Sequence, residues 1–212
     1  MSELVKAVEA ATGEVLRSLG FRKRGLFFEI EVALGVRGLL GLPRDARGGE
    51  VRLNPVLHIH QEQLERLRAE LWWQKQYDRS SLSIHMDQVN PERPVYVFQT
   101  PAEAPSVMAE LAADVERFGL PSLARGSTLE GLLGLFEVHR RDLSGIAMIC
   151  LLLGRREAGL EAISAKKAEV EAERDDPSAD EWIVNTANTT LERLGRIEAR
   201  LLALPAGPPS LG

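Results

Sequence analysis

Alternation of apolar and polar residues, the mark of a strand with one wet face, ends in this chain at about Gln99. Beyond that point apolar residues recur every three or four positions, the period of a helix. The switch predicts an α+β protein: strands confined to residues 1–100, helices over 101–204. Residues 1–125 are expected to form the sheet domain and 126–204 a helical hairpin or bundle extension. The Pro- and Gly-rich tail, 205–212, is expected to be disordered.

The stretch from Leu19 to Val32 organises the first part. Leu4, Val5, Val8, Ala11, Val15, Leu16 and Leu19 share one face of a helix over 2–19, and Gly20 is placed to stop it. After the basic turn Arg22-Lys23-Arg24, Phe28, Ile30 and Val32 alternate with Glu29 and Glu31 in a first strand. A second strand is predicted over 36–42 and a polar hairpin loop over 44–50. A third covers 51–60 and is open to a break at Asn54-Pro55, since proline cannot donate to a ladder. Leu64, Leu67 and Leu71 give helical spacing over 61–73, and strands follow over 81–86 and 94–99. Five strands with helices on short links predict a mostly antiparallel five-stranded sheet backed by helices.

In the second half Thr100 with Glu103, and Ser127 with Glu130, have capping-box spacing. Pro105 moves the first of these helices towards a start near Ser106, and Gly119-Leu120-Pro121 should end it. Helices over 143–153 and 156–174 are separated at Gly154. A last one, capped within 178–181, runs to about Leu204.

With 44% hydrophobic and 27% charged residues, the chain can bury a substantial core. No apolar run approaches the roughly 20 residues needed to span a bilayer, and Met1-Ser2-Glu3-Leu4-Val5-Lys6 has no basic-then-apolar signal pattern. A lone cysteine, Cys150, excludes an intrachain disulfide. The expected location is the cytoplasm. Residues 1–100 carry 14 Lys and Arg against 13 Asp and Glu, and residues 101–212 carry 12 against 18. Neither half has the basic excess of a duplex-binding surface, while the acidic second half suits a basic protein partner.

Few residues point to chemistry. His58 and His60, two apart on a predicted strand, share a face, and His85 has the same phase on another. Three imidazoles on one face could hold zinc, but no Glu or Asp stands at zinc-enzyme spacing, so no metal and no cofactor are expected. Arg22, Lys23 and Arg24 between glycines could grip an anion, or serve as a solvated turn beside a helix C-terminus. Trp72 and Trp73, followed by Tyr77, point about 100° apart on a helix, so one can enter the core and the other remain as an interface anchor. The glycines from Gly35 to Gly41 lack the lysine and spacing of a nucleotide loop. Cys150, among apolar neighbours, reads as core.

The run Leu19-Gly20-Phe21-Arg22-Lys23-Arg24-Gly25 before an aromatic strand, the later Arg117-Phe118-Gly119-Leu120-Pro121-Ser122-Leu123, and the stretch from Cys150 to Ile163 resemble the bacterial domain of unknown function 4304 and its relatives. The resemblance covers most of residues 1–165. It implies no catalytic residues, and some relatives are suspected immunity proteins against secreted toxins. The long acidic last helix falls outside the pattern. Together these features predict a non-catalytic binding protein with a protein partner, and the resemblance implies a cognate toxin, blocked by occlusion, as that partner. The alternative is a small enzyme or ligand-binding domain using His58, His60, His85 and the Arg22–Arg24 turn.

Overall fold

A computed structural model describes residues 2–72, 80–93, 95–140 and 142–205. It divides into two compact units, Met1–Glu62 with Asp78–Ser127, and Gln63–Tyr77 with Thr128–Gly212. Among the described residues every strand precedes Gln99, and the elements beyond residue 100 are helical. No described helix is long and apolar enough to cross a membrane.

The first unit opens with α1 (Glu3–Ser18), capped by the Ser2 hydroxyl, which accepts the Val5 N–H at 3.3 Å. Its buried stripe is Leu4, Val5, Val8, Thr12 and Leu16. Thr12 is accommodated there because its hydroxyl donates to the Val8 carbonyl at 2.6 Å. Gly20, at φ 87°, ends the helix. The Phe21 N–H reaches Leu16 O and the Gly20 N–H reaches Arg17 O, both at 3.0 Å, which is the paired closure of a Schellman motif.

The basic residues after Phe21 are a strand rather than a turn. β1 (Arg22–Arg24) pairs antiparallel with β2 (Phe27–Ala33), Arg24 facing Phe27 across the two residues Gly25 and Leu26. Positive φ at Gly25 lets the chain reverse in so few residues. As an edge, β1 is three residues long and wholly cationic, two features that discourage pairing with another chain.

β3 (Val36–Gly41), β6 (Val56–Gln61) and β7 (Leu82–His85) complete a five-stranded antiparallel sheet in the order β1-β2-β3-β6-β7. A second sheet, β4-β5-β8, joins β4 (Arg44–Arg47), β5 (Glu50–Leu53) and β8 (Tyr96–Phe98). Only Gly48 and Gly49 of the expected 44–50 loop form a turn, and the arginines on the near side pair with β5. The predicted third strand splits at Asn54-Pro55, where the chain leaves one sheet for the other.

One face of the large sheet is apolar. Phe28, Leu40, Leu57, Ile59, Leu82 and Ile84 are buried on it. The chain after β8 covers this face. A 3₁₀ turn (Pro101–Glu103) leads into α4 (Ala104–Asp114), a π-helical stretch (Val115–Gly119) and α5 (Leu120–Arg125). Pro105 is tolerated in the first turn of α4, where its missing N–H is not needed, so the helix does not wait for Ser106. Nor does the chain stop at Gly119-Leu120-Pro121. The Leu120 N–H reaches back to Val115 O, and this wide turn carries the helix past a proline with no N–H to give. Gly38 admits the Leu123 side chain onto the sheet: a Cβ there would lie 2.6 Å from Leu123 Cδ1. A four-residue helix, α3 (Met86–Val89), follows β7.

The second unit is helical. It holds α2 (Glu62–Trp72) beyond its first residue, α6 (Leu129–Leu135) continued by a π stretch (Phe136–Arg140), α7 (Leu143–Leu152), α8 (Arg156–Arg174) and α9 (Glu181–Leu202). Thr128, Asp142 and Asp180 cap α6, α7 and α9 by accepting the N–H three residues on. Gly154, at φ 69°, repeats the Gly20 closure, with Arg155 N–H to Cys150 O at 2.8 Å and Gly154 N–H to Leu151 O at 3.2 Å. Along the α8–α9 hairpin Ala162, Ile163 and Val170 are buried with Ala187, Leu194, Ile197 and Leu201. Gly159 makes room for Leu201, whose Cδ2 would lie 2.6 Å from a Cβ at that position.

Candidate functional site

The second face of the five-stranded sheet carries the polar groups. Strand register sets its rows: Arg22 faces Glu29, Glu29 faces Leu39, Leu39 faces His58, and His58 faces Ser83. His60 lies opposite Arg37, and His85 opposite Val56. The three histidines therefore share a face, as their phase requires. They differ in environment: His58 is half-buried, His60 buried and His85 exposed. Among the described residues no three His, Cys, Asp or Glu side chains gather as metal ligands.

A groove of about 530 Å³ lies along this face beside the β1–β2 turn. Leu26, Phe27 and Leu39 are its apolar walls, and Arg24, Glu29, Arg37, His58 and Ser80 its polar ones. The Glu29 carboxylate oxygen accepts from Arg24 Nη1 at 3.0 Å and lies 3.6 Å from Arg37 Nη1. Two guanidinium groups thus share one carboxylate. His58 Nδ1 is 2.8 Å from Ser83 Oγ, which is 3.0 Å from Ser80 Oγ. The imidazole meets Phe27 edge-on, ring centres 5.4 Å apart. Gly41 permits this, because a Cβ there would lie 3.1 Å from His58 Nε2 and 3.3 Å from a Phe27 ring carbon.

Burial, and then the charge of His85, hold the His58 pKa below the ordinary imidazole value. The ring is neutral at pH 7. Because the unfolded chain takes up a proton that folded His58 resists, stability rises with pH between the depressed folded value and about 6.5. It is lost as the pH falls through that window. His58→Gln is expected to flatten this part of the stability–pH curve, measured by denaturant titration between about pH 5 and 7. An unchanged slope would mean that His58 titrates normally.

A second depression, about 570 Å³, shares Gly25, Leu26, Phe27 and His58 with the first and extends towards Val8, Pro43 and Arg44. Arg44 is paired with Glu9 at 2.5 Å. The hairpin tip Leu26-Phe27 is therefore a wall between two hollows. Leu26 is 90% exposed and Phe27 38%.

Of the residues singled out in the sequence, the groove unites Arg24 and His58. Arg22 and Lys23 are exposed and make no ion pair among the described residues; Lys23 lines the second depression. His60 and His85 are not among the groove's lining residues. Trp72, in the second unit, has the guanidinium groups of Arg68 and Arg193 over its ring, 5.9 and 5.7 Å from the ring centre, with Arg68 paired to Glu65 at 2.7 Å. Trp73 and Tyr77 lie outside the described residues. Cys150 is 1% exposed, and burial raises its thiol pKa. Sequence reasoning missed Phe27, Glu29, Arg37 and Ser83. Phe27 was signalled by parity, since a strand that buries Phe28 turns Phe27 to the wet face.

The fold defines an α+β protein whose five-stranded antiparallel sheet carries the groove's polar residues on one face. No family model, no curated protein and no solved structure matches the chain.

Proposed function

We propose that this is a non-catalytic binding protein that receives a protein partner on the wet face of its five-stranded sheet. A carboxylate of the partner meets Arg24 and Arg37, and an apolar side chain packs against Leu26 and Phe27. The supporting observation is the hairpin tip: two apolar residues, one 90% exposed, raised between two hollows each above 500 Å³. Leu26 buries almost nothing within the chain, so folding does not account for it. Aromatic and arginine side chains are the commonest anchors of protein interfaces, and both types stand here. A toxin blocked by occlusion, the role implied by the family resemblance, is one partner of this kind.

The second reading, a domain for a small ligand in the same groove, is favoured by the volume, which falls in the range of small-molecule sites, and by the convergence of Arg24 and His58. Partner size separates the two. Tagged full-length protein is compared with Leu26→Ser and Arg24→Ser variants, the neighbouring gene's product being co-expressed with each. A complex retained by the parent and weakened about tenfold or more in both variants, whose melting temperatures stay unchanged, is the expected result. A complex indifferent to both substitutions removes the groove from the interface. Thermal shifts with small carboxylates, abolished by Arg24→Ser, would instead establish the second reading.

A further inference from the structure

The tip of the α8–α9 hairpin holds an apolar groove inside an acidic rim. The groove, about 560 Å³, has Val170, Ile183 and Ala187 as its apolar lining and Trp182 at its edge, with Lys166, which is paired to Glu169, the one cation among its lining residues. Trp182 is 72% exposed. From Glu169 to Glu181 the chain carries seven carboxylates, all exposed, against the single cation Arg174.

Most of these carboxylates have local work. Glu169 pairs with Lys166 at 2.9 Å, Asp175 with Arg174 at 2.8 Å, Asp176 accepts from Ser178, and Asp180 caps α9. Glu181 sits in the first turn of α9, where the dipole favours an anion. Glu171 and Glu173 are different. They lie in the last turn of α8, where the dipole disfavours negative charge, and neither makes an ion pair among the described residues. Glu171 acts electrostatically on Arg174 within the same turn, whereas Glu173 lines the groove.

We infer that this groove docks a basic amphipathic segment of a protein partner. Its apolar side chains cover Val170, Ile183 and Trp182, while its lysines and arginines meet Glu171 and Glu173. An amphipathic helix in a hydrophobic groove is a recurrent recognition mode, and charge complementarity selects the basic version. Nucleic acid and anionic lipid are repelled by the rim. A second copy is repelled too, since its own tip carries the same charge. The inference is independent of the sheet-face site.

The test uses the full chain and three labelled helical peptides of about eighteen residues. One has leucine every three or four positions among lysines, one has glutamate for lysine, and one has serine for leucine. The lysine–leucine peptide is expected to bind, more weakly as salt rises. Trp182→Ala and the pair Glu171→Gln with Glu173→Gln should each weaken it about tenfold or more, at unchanged melting temperature. Leu26→Ser, in the other site, should leave its affinity alone. Equal binding of the lysine–serine peptide would reduce the effect to charge and overturn the inference. So would binding unaffected by Trp182→Ala, or no binding at all. A dimer in sedimentation that Trp182→Ala dissolves would assign the groove to a second copy instead.

Discussion

Phe21→Ala is expected to destabilise the protein by about 3–5 kcal/mol, the range for removing a fully buried aromatic ring from a site that cannot collapse. Phe21 is 1% exposed and Leu16 is wholly buried. They stand at the two positions of the Schellman closure whose side chains habitually touch. The ring thus occupies the joint where α1 ends and the β1–β2 hairpin begins, and its loss leaves a cavity there. Its neighbours in sequence give the internal control. Arg22 and Lys23 are exposed and make no ion pair among the described residues, so alanine at either should shift stability by no more than about 0.5 kcal/mol. Denaturant titration of the three variants measures all of this. A near-neutral Phe21→Ala would show that the joint is held by its backbone bonds alone.

What the sequence discloses follows which interactions are local. The helix over α1 and its stop at Gly20 depend on one apolar stripe and one glycine, and both are legible. So are Asn54-Pro55 as a break, and Gly154 as the boundary between α7 and α8. β1 and β4 are not. Arg22-Lys23-Arg24 and Arg44-Asp45-Ala46-Arg47 have no apolar alternation, because neither strand buries a side chain. Both exist through backbone pairing with a neighbour, which side-chain patterning does not record. The helix through Pro121 was hidden for a related reason: the π turn that accommodates it is a backbone adjustment.

The candidate site divides in the same way. Parity along one strand placed His58 and His60 together, and parity is local. Register between strands decides that Glu29 takes both Arg24 and Arg37, and that Ser83 faces His58. That information is held by the β1–β2, β2–β3 and β6–β7 pairings, which alternation along a single strand does not record. Trp182 gave a signal of its own, a large aromatic among Asp180, Glu181 and the carboxylates of α8, which draws little notice beside the doublet Trp72-Trp73.

Gly145→Ala and Gly195→Ala make the same chemical change inside two helices, with opposite expected signs. Replacing an interior helical glycine by alanine removes backbone freedom from the unfolded chain and normally stabilises by up to about 1 kcal/mol. Gly195, in α9, has nothing within 4 Å of the new Cβ, so the full gain is expected there. In α7 a Cβ on Gly145 would lie 2.3 Å from Phe136 Cε1 and 3.0 Å from Cδ1 of the same ring. Phe136 is wholly buried and its ring is rigid, so relief requires the backbone of α7 or of the π stretch before it to move. Overpacking of this kind costs about 1–3 kcal/mol or more, which outweighs the propensity gain. Gly145→Ala should therefore lower the denaturation midpoint while Gly195→Ala raises it, both with an unchanged dependence on denaturant. If Gly145→Ala proved neutral or stabilising, Phe136 would have an alternative seat in the core, and the close approach of α7 to the π stretch would not be a requirement of the fold.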